Sequence, residues 1–507
     1  MQLSRMRLTT KNILFPSVLI GVYLLGWYIQ SQLLFNWDVS WLTHVARRLL
    51  AGGSYTKDFF ELNPPMILYL YIPIVLLTKY TSLSVMIALR IYIYFLASIS
   101  LLICYWLAKK IFSAANKNTA PVVTIALAVS YIILPIYEFG QRENLMLMFV
   151  MPYFLLVANR LEKISINPVF ALLIGIIAGI GFAIKPHFVM TFLLIEVYRV
   201  VKTRRLLAWI NTEAITIMSI LCIYLVSIYL FHRDYLTTVV PLAMRTYYNG
   251  IAMPWYMLAQ HIVIPFSCLT IAFYFTNYQK NPFKIFSNIL LMALIGFCIA
   301  YFSQHTYWHY HILPLFSISV ILAALLFNNL IEQKELPIYK LLSFGLFLFI
   351  IPVLYSYILF VIAIEFKESA QKLIAFMQEH AKDKSIYLFS STTVYLFPEI
   401  DYSNATPASR SEALGWIRAI VKQQGPKAKE DTQYFVNMIA EDFNTKKPDY
   451  VFVDVQKNKS YIEDVNFDYL KFFSHYPKFT QAWKSYRYLA TIDNEPKYKF
   501  EIYQRVH

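Results

Sequence analysis

Residues 36–65 read NWDVSWLTHVARRLLAGGSYTKDFFELNPP, a polar insert carrying Asp38, Lys57, Asp58 and Glu61. Ahead of it runs an apolar stretch from Ile13 to Phe35, and behind it comes a second, PPMILYLYIPIVLLTKY at 64–80. The first run is too long for a signal-peptide core and lacks a small-x-small cleavage site, so it reads as an uncleaved span. Within the insert, LTHVARRLL is amphipathic at helical spacing. The fold depends on whether Pro64–Tyr80 crosses the membrane. If it did, every later loop would change sides, so it is assigned as a juxtamembrane or re-entrant helix on the outer face. That makes 36–82 a long, structured outer loop.

The whole chain supports this frame. Of 507 residues 58% are hydrophobic and only 15% charged, with 13 glycines, which places the chain in the membrane class. Residues 1–365 hold 25 Lys/Arg against 12 Asp/Glu, whereas 366–507 hold 20 against 18. The net charge of +15 therefore comes mostly from the apolar part. There it reports topology rather than nucleic-acid binding. Cys104, Cys222, Cys268 and Cys298 all lie in apolar runs, so no disulfide framework or CxxC metal site is expected.

About eleven transmembrane helices are predicted, at 13–35, 83–108, 119–137, 144–159, 168–184, 188–201, 207–231, 256–277, 285–303, 310–328 and 339–364. With a cytoplasmic N-terminus, sixteen of the 25 basic residues fall in the cytoplasmic segments, Arg160 and Arg199 among them, and eight on the other side. This is the positive-inside bias. The expected class is an α-helical polytopic membrane protein with a C-terminal soluble α/β domain: a transmembrane domain over 1–365 and an outer domain over 366–507. In the tail a helix is expected at Phe366–Ala381, strands at 385–390 and 449–455, helices near 410–422 and 430–442, and strand-like runs YRYLATI and YKFEIYQ, a βαβ pattern. The tail has neither GxGxxG nor a P-loop, so no nucleotide is indicated.

The cytoplasmic loops carry no carboxylate pair or histidine cluster. The outer loops do carry chemistry: Asp38, Lys57, Asp58 and Glu61 in the first, Glu138, Arg142 and Glu143 in the second (YEFGQRENLM), Lys185–Pro186–His187 in the third. The fourth, from His232 to about Trp255, has Arg245, and the fifth, SQHTYWHYHILP, has His305, His309 and His311. Taken singly, each has a bland explanation. Asp38 reads as a helix cap, Glu143 as a first-turn charge, and Lys185 and Arg142 as snorkelling anchors. The histidines read as an aromatic-belt feature, their spacings of four and two being a weak metal signal. Carboxylates and cations alternating on one side of an apolar bundle point instead to a site.

An Asp directly after the first span, then YxxDFFExNPP leading into an apolar helix, resembles the GT-C superfamily of integral membrane glycosyltransferases. Closest is the branch with protein O-mannosyltransferases, lipid A aminoarabinose transferase and arabinosyltransferases. GQRE at 140–143 and QHTYWHYHILP at 304–314 look like motifs of its bacterial members. Many members have an acidic pair after the first span. Here Val39 follows Asp38, so Asp38 would act alone and no metal or other cofactor is indicated.

The resemblance implies an inverting transferase in the bacterial inner membrane. It would take a polyprenyl-phosphate-linked sugar and pass the sugar to a glycan, lipid or protein acceptor on the periplasmic side. Asp38 would be the base, with Glu143 positioning the acceptor. Lys185, Arg142, Arg245 and the His309/His311 pair would meet the donor phosphate, and Lys57, Asp58 and Glu61 would serve the acceptor loop. The alternatives are a lipid-linked sugar transporter or flippase, against which no internal repeat is found, and a partner-binding scaffold. Nucleic acid is not an expected partner.

Overall fold

A computed structural model describes residues 2–112, 118–248, 253, 263–276, 283–306, 308–332, 338–422, 424–462 and 467–506. It divides into two compact units. A helical unit comprises Met1–Leu33, Met86–Val226 and Met253–Ala363, and a second unit comprises Leu34–Val85, Ser227–Ala252 and Ile364–His507.

Seven helices among the described residues are long and apolar enough to cross a membrane: Leu14–Gln32, Val85–Phe112, Arg142–Leu161, Thr212–Phe231, Lys284–Ser303, His309–Asn329 and Phe349–His380. They match seven of the predicted spans, and the chain is a multi-pass membrane protein. Two predicted spans are shorter, as Thr119–Ile133 and Pro168–Ala183. The first is cut short where α-helix gives way to a π-helical turn at Val129–Ile133, followed by Pro135. The 188–201 span appears as Val189–Thr203, which buries Glu196 and Arg199. Of 256–277 only Val263–Thr276 lies among the described residues. Large apolar side chains face outward, with Leu102 69% and Phe231 74% exposed, a surface suited to hydrocarbon rather than water. Small residues bring helices close. A Cβ on Gly175 would lie 2.8 Å from Thr216 Cβ, and one on Gly179 2.8 Å from Ile220 Cβ, so the two glycines, one turn apart, seat Pro168–Ala183 against Thr212–Phe231.

The second unit contains a five-stranded sheet of β1 (Ser385–Phe389), β2 (Thr406–Pro407), β3 (Tyr450–Asp454), β4 (Tyr486–Asn494) and β5 (Tyr498–Arg505), in the order β2-β1-β3-β5-β4. β1 runs parallel to β2 and β3, while β5 is antiparallel to β3 and β4. Helix Pro426–Thr445 forms part of the β1-to-β3 crossover, as a βαβ unit requires. Phe389, Phe443, Phe473 and Phe479 bury their rings together beside it.

The first loop is built into this unit. Trp37–Leu50 is the amphipathic helix, and it packs on Met66–Tyr80. Arg48 donates to the carbonyls of Ser409 (2.7 Å) and Pro407 (2.6 Å), and Arg410 to that of Thr56 (2.9 Å). Two tail expectations are corrected. The helix expected at Phe366–Ala381 is the end of one long helix, Ile338–His380, because nothing between span and tail breaks the helical pattern. Of 410–422 only Ile417–Lys422 is helical. Upstream, the Arg410 carbonyl accepts from Phe60 N and Leu414 N donates to Ser390, so the backbone bonds run to other segments rather than along a helix.

Candidate active site

In the helical unit, Gly140 adopts φ +84°, a conformation open to glycine, and turns the chain into helix Arg142–Leu161. Asn144 fixes this turn, accepting from Gly140 N (3.1 Å) and donating to the Tyr131 carbonyl (3.1 Å). Arg142 and Glu143 are thereby held in the first helical turn, both buried. Lys185 follows helix Pro168–Ala183 in extended backbone (φ −140°, ψ 139°), the conformation favoured before a proline.

The Lys185 ammonium meets three acceptors: Glu143 Oε1 at 2.6 Å, Gln304 Oε1 at 3.1 Å and His311 Nε2 at 3.2 Å. An ammonium has only donors, so His311 Nε2 accepts. Its proton then lies on Nδ1, facing Thr306 Oγ1 at 3.3 Å. Tyr310 presents its ring to two cations, the Arg142 guanidinium at 4.9 Å and the Lys185 ammonium at 5.0 Å. Among the described residues Glu143 Oε2 has no hydrogen-bond partner. Beside the cluster, His187 bonds Ser303 Oγ at 2.8 Å. Burial and then the Lys185 charge push it down to about 4, so it is uncharged at neutral pH.

The expected His309/His311 pair does not form. Both sit at the start of helix His309–Glu332, where residues two apart point to nearly opposite faces. Only His311 joins the cluster, while His309 Nδ1 pairs with Tyr355 Oη at 2.6 Å. Lys185, expected to be a solvent-facing anchor if not functional, is buried in an ion pair.

In the second unit, Asp38 lies half-buried in the first turn of Trp37–Leu50. Its reading as a helix cap is displaced by Asn36, whose side chain accepts from Asp38 N (2.9 Å) and Val39 N (3.4 Å). Asp38 is close enough to the half-buried Tyr247 for its charge to act on the phenol. Burial first, then Glu412, Tyr461 and Asp38, push Tyr247 well above the usual range. Glu61 is a clamp, accepting from Trp41 Nε1 (2.5 Å), Asn63 N (2.7 Å) and Asn63 Nδ2 (2.6 Å). Asp58 ties its own turn by accepting from Ser54 N (2.8 Å), and Lys57 is exposed. Arg245, expected at the donor phosphate, makes a two-pronged pair with Asp431 at 2.8 and 3.0 Å, which balances its charge.

Among the described residues no group of three His, Cys, Asp or Glu side chains could hold a metal ion. Gln304 and Tyr310 were not singled out from the sequence. Both lie in the QHTYWHYHILP stretch, but nothing in its spacing sets them apart from their neighbours.

No protein-family model matches the chain, and no curated protein matches it in sequence. Among solved structures it is similar to ArnT from Cupriavidus metallidurans bound to undecaprenyl phosphate, at 10% identity and a TM-score of 0.57 over 98% of each chain. The same protein in the apo state gives 11% identity and a TM-score of 0.47, again over 98% of each chain. Covering the bundle, the outer loops and the tail together, this likeness establishes that the chain has the fold of the GT-C membrane glycosyltransferases.

Proposed function

We propose that the protein is a lipid-linked sugar transferase of the bacterial inner membrane. Its N-terminus is cytoplasmic and its second unit periplasmic. It transfers a sugar from a polyprenyl phosphate to a hydroxyl of an envelope glycan, lipid or protein. The observation that carries this reading is the buried cluster in which Lys185 meets Glu143, Gln304 and His311 beside Arg142, in a chain that shares its fold with a protein crystallised with undecaprenyl phosphate.

In this reading Arg142 and Lys185 take the phosphate, whose charge grows as the bond from the sugar's anomeric carbon to phosphate oxygen breaks. Glu143 and Gln304 hold the ammonium in place. The three N–H donors of Lys185 are engaged by Glu143, Gln304 and His311, so a phosphate oxygen takes the place of one acceptor, and the neutral His311 is the cheapest to release. Asp38 accepts the proton of the attacking hydroxyl as the new glycosidic bond forms with inversion. Arg245 and His309, engaged with Asp431 and Tyr355, are left out of phosphate binding.

The test is reconstitution of the purified protein in nanodiscs with an undecaprenyl-phosphate-linked sugar and an envelope extract, following release of undecaprenyl phosphate. Release that depends on Asp38 supports transfer. Translocation of the lipid without release would establish the flippase instead.

A further inference from the structure

The turn between helices Val189–Thr203 and Thr212–Phe231 of the helical unit has no part in the cluster around Lys185. Its sequence, KTRRLLAWIN over 202–211, sets three cations beside four large apolar residues. The first helix ends at Arg204 in left-handed backbone (φ 54°, ψ 32°), and Leu206–Trp209 then forms a single 3-10 turn. Asn211 locks that turn. Its side chain donates to the carbonyls of Ala208 (3.2 Å) and Trp209 (3.0 Å) and accepts from Ala214 N (2.9 Å) at the start of the next helix.

Lys202, Arg204 and Arg205 are exposed, and among the described residues none of their side chains has a hydrogen bond or an ion pair. Glu196 and Glu213, the carboxylates of the flanking helices, are engaged by Arg199 and Arg160. At the end of Arg142–Leu161, Glu162 is exposed and offset by the adjacent, exposed Lys163. Beside the three cations Leu206 (83%), Leu207 (69%), Trp209 and Ile210 are exposed. Apolar side chains next to unpaired arginines suit the interfacial zone of a bilayer, where each kind meets its own solvent.

The preceding helix supplies the rest of the surface. Met190, Leu193, Val197 and Val201 are exposed at helical spacing and form one stripe, while Phe192, Ile195, Glu196 and Arg199 are buried. From Met190 to Val201 the stripe runs about 17 Å at 1.5 Å per residue. The hydrocarbon of one leaflet is about 15 Å thick, half of the bilayer core. The stripe thus has the length of a phospholipid's acyl chains and leads to the three cations.

We propose that this stripe and turn bind an anionic phospholipid, its acyl chains along Met190–Val201 and its phosphate on Lys202, Arg204 and Arg205. A zwitterionic headgroup would bring its own ammonium up to three cations, so net negative charge is selected. The topology proposed above assigns the lipid to the cytoplasmic leaflet, but its binding does not depend on the transfer reaction.

The experiment is native mass spectrometry of the full-length protein in non-ionic detergent, titrated with phosphatidylglycerol or with phosphatidylcholine of the same chains. Phosphatidylglycerol should be retained in preference. The triple variant Lys202→Gln, Arg204→Gln, Arg205→Gln should bind it at least about tenfold more weakly, with phosphatidylcholine unchanged. Arg205→Gln alone should weaken it severalfold, which keeps the test open if the triple variant does not fold. Replacing Arg204 and Arg205 by Lys should preserve the preference. Lys109→Gln with Lys110→Gln, in another basic loop, should leave it intact. Equal retention of the two lipids by the parent would overturn the proposal, as would an equal loss in the Lys109/Lys110 variant. So would displacement by inorganic phosphate, which would mark a simple anion site, or by undecaprenyl phosphate, which would move the lipid to the Lys185 cluster. Selective retention by a protein that releases no undecaprenyl phosphate from a lipid-linked sugar would sustain this site while the transferase reading fails.

Discussion

Helix Arg142–Leu161 contributes to two buried charge clusters of the helical unit, and they are built differently. At its N-terminal end, Lys185 pairs with Glu143 at 2.6 Å and also meets the uncharged side chains of Gln304 and His311, while the Tyr310 ring faces both Lys185 and Arg142. Toward its C-terminal end, Tyr153 donates to Glu196 at 2.5 Å, Arg199 bridges Glu196 (3.3 Å) and Glu213 (3.2 Å), and Arg160 approaches Glu213 at 3.6 Å. That second network holds two carboxylates and two guanidinium groups, so its charge closes internally. Such a network reads as a fastening between helices. In the first cluster two of the three partners of the buried ammonium are uncharged side chains that a ligand can displace. Composition alone does not separate them, since both contain Arg, Glu and a tyrosine. The partners of the buried cations do.

The contrast is most exposed by variants that move activity and stability separately. Asp38→Asn keeps size and removes proton acceptance. It should lower the transfer rate by about 10²–10⁴-fold with an unchanged melting temperature. If this variant is active while Glu143→Gln is not, base and positioning residue have been exchanged.

In the network at the other end of the helix, Glu213→Ala leaves Arg199 and Arg160 with Glu196 as the one remaining carboxylate and should cost about 3–5 kcal/mol of stability, read as a lower thermal transition, with the rate per folded molecule intact. A loss of rate at full stability would mean that this end of the helix also takes part in the reaction.

Glu399 supplies a third case, in the second unit, where a buried carboxylate has no partner among the described residues on either oxygen. Burial pushes it up from 4.5 to about 8. A carboxyl raised on folding favours the native state while protonated. Its stabilising effect is therefore complete below about pH 4.5 and lost as pH rises toward 8. Glu399→Gln should remove that slope and stabilise the unit at pH 8 by a few kcal/mol, at 1.36 kcal/mol per pH unit. Identical melting curves from pH 5 to 8 for parent and variant would show that Glu399 is not held neutral.

The smallest effect belongs to Arg142, the cation stacked on the cluster's Tyr310 ring. Arg142→Ala should weaken undecaprenyl phosphate by about 1.5–3 kcal/mol, roughly 10- to 150-fold in Kd, steeper at low salt. Lys185→Ala would also strand Glu143, so it should lose stability as well as affinity. Equal affinity in the parent and Arg142→Ala would reassign the guanidinium to packing on Tyr310.

The sequence alone determined the membrane class, seven of the spans, the amphipathic helix within 37–50, the parallel β1–β3 core of the tail and the loops in which polar groups gather. These follow from local periodicity, from the length needed to cross hydrocarbon and from charge counting along the chain, and each operates over a few dozen residues at most. It also picked out Arg142, Glu143, Lys185 and His311 as candidates. Their meeting was beyond it, because Lys185 lies 42 residues from Glu143 and 126 from His311, on separate helices and loops. So were the separation of His311 from His309 and the pairing of Arg245 with Asp431. Those depend on which way a side chain points and on what stands opposite, and only the packed chain brings such partners face to face.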